Sequence, residues 1–118
     1  MPIEDNLIVK LSFKFSVNTI KFIDSQHWGN KLSICNQLLK SATSIGANIR
    51  EAQNSESKND FIHKFKIAAK ESEETEYWLL LLNEVGMNRK PLLIELTSIR
   101  KVISKIISST KKLIDKPN

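Results

Sequence analysis

The chain has 118 residues, 41% hydrophobic and 26% charged, enough for a single domain that buries its own core. Eighteen Lys and Arg against 13 Asp and Glu give a net charge of +5, and three Gly with three Pro leave little material for sheets built on tight turns. One cysteine excludes an intrachain disulfide, and the uncharged apolar run Tyr77 to Leu82 falls far short of the ~20 residues of a membrane span.

The start of the chain, Met1 to Asn6, is acidic rather than signal-like, which together with the missing span predicts a soluble cytoplasmic protein. Ile8, Leu11, Phe15, Asn18 and Phe22 then recur at helical spacing and predict a first helix over about residues 3–25, ending before the turn His27, Trp28, Gly29. That helix is apolar on two sides. At 100° per residue, Val9, Phe13, Val17 and Ile20 fall about 120° to 200° from the first seam, on the face that should meet water. One bundle does not bury both faces, so the second predicts contact between subunits.

Cys35, Leu38, Ala42, Ile45, Ile49 and Ala52 define a second helix, about residues 30–54, with Cys35 placed as a small core residue and Gly46 permitting close helix approach. After Asn54 to Ser57, Ser57 and Asp60 form a capping-box start for a third helix of about residues 58–86. Its seam is Phe61, Phe65, Ala68, Ser72, Thr75, Leu79 and Leu82, and Gly86 suits its end. Lys64, Glu71 and Trp78 repeat every seven residues beside that seam, a mixture of charge and aromatic surface typical of a subunit interface. The plainer alternative makes Trp78 a rim residue of the protomer core, and Lys64 and Glu71 part of a solvated face with local pairs such as Asp60 to Lys64.

Pro91 opens a fourth helix, about residues 91–115, with Leu92, Leu96, Ile99, Ile103, Ile106 and Leu113 as its seam. The basic character of the chain resides here. Met1 to Asn88 carry 10 Lys and Arg against 11 Asp and Glu, a net of −1, whereas Arg89 to Asn118 carry 8 against 2, a net of +6. Lys90, Lys101, Lys105, Lys112 and Lys116 lie within about 80° of one another, opposite Ile99 and Ile103. Such a stripe attracts phosphates by charge and counterion release; the alternative is a solubilising face. The segment from Arg89 onward holds no Phe, Trp or Tyr for base stacking, and Lys reads bases less well than Arg, so recognition would be of backbone or shape.

Short connections make neighbouring helices antiparallel, and no linker or repeat divides the chain, so residues 1–118 read as one up-down four-helix bundle. The segments SIGANIREA (Ser44 to Ala52), SKNDFIHK (Ser57 to Lys64) and AAKESEETEYWL (Ala68 to Leu79) resemble the four-helix proteins encoded in intervening sequences of bacterial 23S rRNA genes. That resemblance implies an all-α protomer, assembly into a ring-like homopentamer, no catalytic activity and a role on RNA or ribosomes. A related branch is the accessory protein of diversity-generating retroelements, a basic barrel that binds nucleic acid and a reverse transcriptase.

Enzymatic chemistry finds no support in the residues. A two-metal bundle site needs carboxylates and Glu-x-x-His pairs facing inward, but Asp24 with His27 ends the first helix while Asp60 with His63 opens the third, at opposite ends of the bundle. Glu71, Glu73, Glu74 and Glu76 spread around their helix rather than converge, and Lys70 is spaced to pair with Glu73 and Glu74. Arg50 precedes His63 by 13 residues, too far for a short Arg-to-His ribonuclease motif, and the glycines stand singly rather than in a phosphate-binding loop. No cofactor or metal is expected. The function expected is a non-enzymatic homo-oligomer that binds nucleic acid through the lysine stripe; the alternative is a scaffold that docks a protein such as a reverse transcriptase.

Overall fold

A computed structural model describes residues 6–115. Among these, four α-helices account for nearly the whole chain: α1 (Leu7–Ser25), α2 (Leu32–Ala52), α3 (Lys58–Glu84) and α4 (Lys90–Asp115), with one 3₁₀ turn at Gly29–Lys31 leading into α2. Residues 3–5 of the expected first helix, along with Lys116 and Pro117, lie outside the described residues. Each helix packs on its neighbours in chain order and α1 closes against α4, while the backbones of the diagonal pairs stay apart. The result is a rod of 57 × 24 × 21 Å.

Local chemistry sets the helix ends. Ser57 adopts an extended conformation and its hydroxyl accepts from the Asp60 backbone N–H, as the capping pattern predicts. At the other end of α3, Gly86 has φ +98°; its N–H donates to the Asn83 carbonyl at 3.3 Å and that of Met87 to the Leu82 carbonyl at 2.9 Å. This pair of bonds is the Schellman arrangement, which needs a residue free to take the left-handed conformation. The chain then re-enters through Asn83 and Asn88, whose side-chain oxygens accept from the N–H groups of Arg89 and Lys90.

The predicted seam of α2 is buried throughout, from Cys35 to Ala52, and the buried residues of α3 include Phe65, Ala68, Ser72, Thr75, Leu79 and Leu82. Phe61 is only half-buried but packs against the core, its ring 4.7 Å from that of Phe65, while Ile62 is buried outside the main core cluster. The middle of the core is Phe15, Leu38, Ile45, Phe65, Ile99 and Ile103, each essentially inaccessible and each contributing about 1.5–3 kcal/mol on burial.

Two expectations need correction. Val9 does not meet water: it is 6% exposed, because α1 and α2 approach so closely that a Cβ at Gly46 would lie 3.3 Å from the Ser12 carbonyl oxygen, and the edge of α1 is covered. Leu113 does not join the core: it is 60% exposed. Thr110 still lines a cleft with Asn6 and Ile8 at the beginning of α1, so the following turn of α4, which carries Leu113, overhangs the bundle.

Candidate nucleic-acid interface

The surface of α4 follows from its periodicity. Leu92, Leu96, Ile99 and Ile103 turn inward, and the residues half a turn away, Lys90, Lys101, Lys105 and Lys112, are all exposed. Antiparallel packing against α1 and α3 holds this stripe on the outside of the rod. Among the described residues the ion pairs are Lys64 with Glu51 at 3.4 Å and Arg100 with Glu76 at 2.9 Å, so none of the four stripe lysines is neutralised by a carboxylate. Ile94, also exposed, interrupts the stripe between Lys90 and Lys101.

A groove of about 650 Å³ runs alongside the stripe between α3 and α4. Its walls bring Lys66 and Lys70 of α3 opposite Arg100 and Lys101 of α4, with Glu73 and Glu76 also present and Glu76 paired to Arg100. Lys66 and Lys70 escape a reading of α4 alone. Their spacing of four places them on one face of α3, but only packing shows that this face adjoins α4. The end of the rod where α4 begins holds a packed cluster. Trp28 Nε1 donates to the Ile23 carbonyl, its ring meets Phe22 edge-on at 5.5 Å, and the Arg89 guanidinium sits 3.4 Å above the Phe22 ring. Desolvation there holds the Arg89 guanidinium below its usual pKa.

The predicted interface residues are dispersed. On α1, Phe13 is 65% exposed, Ile20 is exposed and Val17 half-buried, so an apolar face remains after Val9 is removed from it. On α3, Lys64 reaches across to Glu51 of α2 instead of pairing locally with Asp60, and Glu71 is half-buried. Trp78 packs against the core with Tyr77 edge-on at 5.1 Å, and its Nε1 is buried with no acceptor among the described residues. Asp24 at the end of α1 with His27 just beyond it, and Asp60 with His63 in the first turns of α3, stand at opposite ends of the rod. Among the described residues no three His, Cys, Asp or Glu side chains gather as metal ligands, and no helix is long and apolar enough to cross a membrane.

The family described as 23S rRNA-intervening sequence protein matches residues 4–109, from the start of α1 to the last turns of α4. The chain belongs to this family. Lys90, Lys101 and Lys105 lie inside the matched span, and Lys112 and Lys116 beyond it. A solved structure from Bacteroides thetaiotaomicron, a protein of unknown function from the S23 ribosomal protein family, is 35% identical with a TM-score of 0.65, covering 92% of this chain and 99% of that one. Comparison with curated proteins gives no match.

Proposed function

We propose that this member of the 23S rRNA-intervening sequence family is a cytoplasmic, non-enzymatic homo-oligomer, a ring of five, that holds the phosphate backbone of structured RNA along α4. The observation that supports it best is the row Lys90, Lys101, Lys105 and Lys112, exposed opposite the buried seam of α4 and free of ion pairs among the described residues. Repetition of the row around an assembly multiplies weak contacts by raising the effective concentration of each after the first. Ribosomal RNA is the first RNA to try, given the family's description and the ribosomal name of the Bacteroides relative's family.

Neutralising Lys101, Lys105, Lys112 and Lys116 to Gln should weaken binding of an rRNA fragment by one to several orders of magnitude at low salt, since each lysine lost removes a phosphate contact. Filter binding or fluorescence anisotropy reads this, and unchanged affinity removes α4 as the contact surface. Protein partners that survive nuclease treatment in a pull-down, with no RNA binding by the purified protein, would replace this reading with that of a scaffold.

A further inference from the structure

The outward side of α3 carries a second apolar patch, separate from that of α1. In the C-terminal half of α3, Tyr77 and Leu80 are exposed and Leu81 is half-buried beside them, and Val85 just past the helix is exposed as well. Because α1 and α3 are diagonal in the bundle, their outward faces, the patch on α3 and the face of Phe13 and Ile20, point in different directions. The α1 face also has relief. Where Gly46 presents no side chain, a cavity of about 180 Å³ opens between α1 and α2, lined by Val9, Phe13, Ser16, Thr43 and Ala47, with Arg50 at its margin. Exposed patches of this kind are characteristic of association surfaces.

Charge tells the two surfaces apart. Along α1 (Leu7–Ser25) the charged residues are Lys10, Lys14 and Lys21, with a single carboxylate, Asp24, in the last turn beyond Ile20. In the C-terminal half of α3 and just beyond it, from Glu71 to Val85, they are Glu71, Glu73, Glu74, Glu76 and Glu84; Glu76 is paired with Arg100, and the nearest cation on α3, Lys70, stands two turns before Tyr77. A patch whose surroundings are predominantly acidic and an apolar, indented face whose surroundings are predominantly basic are complementary, while either one against itself brings mostly like charges together.

We infer that the occupant of the α1–α2 face is the α3 patch of a second copy of this chain, with Tyr77 and Leu80 seated on Phe13, Ile20 and the cavity beside Gly46. This inference rests on the self-assembly reading above and specifies its geometry. Each copy uses one surface to give and a different surface to receive, so the contact is head-to-tail and propagates to further copies instead of stopping at a two-fold dimer.

Mixing two variants tests the junction. Phe13→Glu spoils the receiving face and Leu80→Glu the giving one; both positions are exposed, and far-UV circular dichroism confirms that each variant folds. Light scattering should report 13.5 kDa for each variant alone and twice that mass for their equimolar mixture, in which only one intact junction can form. Assembly of Leu80→Glu at the wild-type mass overturns the inference while leaving self-assembly standing, as does a mixture that stays at 13.5 kDa. A wild type of 13.5 kDa at every concentration overturns the inference and the self-assembly reading together, and leaves both faces for a different protein. Tyr77→Glu in place of Leu80→Glu repeats the test from a neighbouring position.

Discussion

Thr75 is fully buried between α3 and α2, and its Oγ1 lies 2.9 Å from the Ser41 hydroxyl and 2.8 Å from the Glu71 carbonyl. A buried hydroxyl contributes about 1 kcal/mol when satisfied and penalises its partner when removed. Thr75→Val should therefore cost about 1–2 kcal/mol in denaturant unfolding, and the double variant with Ser41→Ala less than the sum of the two singles; strict additivity would show that the hydroxyls do not cooperate. Cys35 answers to the same environment. Burial first, and the Asp24 carboxylate second, push its thiol pKa up, so the protonated form prevails further into alkaline pH. Labelling by a thiol reagent at pH 8 should be slow in the native protein and become fast on denaturation, whereas equal rates would contradict the placement of Cys35 in the core. At this scale the sequence was legible wherever a residue's neighbours lie on its own helix. It misplaced Val9, which the close approach of α1 and α2 at Gly46 leaves buried, and did not reveal that Arg89 comes from far along the chain to sit on Phe22 beside Trp28.

Helix boundaries carry a comparable signal. The Ser57 cap and the Gly86 terminus of α3 were both readable, because capping is decided by one or two residues beside the helix end. Gly86→Ala should destabilise by about 1 kcal/mol, since φ +98° is unfavourable for any residue with a Cβ; an unchanged midpoint would mean that the turn relaxes. Gly46 sets the separation of α1 and α2. Alanine there gains about 1 kcal/mol in helix preference but presses on the Ser12 carbonyl at 3.3 Å, and Gly46→Leu must push α1 aside, for a loss of about 2 kcal/mol or more. A fully stable Gly46→Leu would show that the helices are not fixed at this spacing. Leu113 failed as a core position for a reason that periodicity does not contain: a helical stripe has no information about where the neighbouring helix stops.

For the molecule as a whole, charge separation is the property on which the proposed function rests. The net charge of +5 resides on α4 and its flanks, the acidic excess on the outer face of α3, and a further basic set on α1. Four helices with short connections were legible because each seam is long and regular, and the antiparallel order followed from loop length. The groove that brings Lys66 and Lys70 to Arg100 and Lys101 was not legible, since it depends on which face of α3 receives α4. The account is tested most directly by titrating salt against the affinity of the purified protein for an rRNA fragment. Log affinity should fall linearly with log salt with a slope of about −0.7 to −0.9 per phosphate contacted, and flatten in step with each stripe lysine changed to Gln. No binding at low salt, or affinity indifferent to salt, would contradict it.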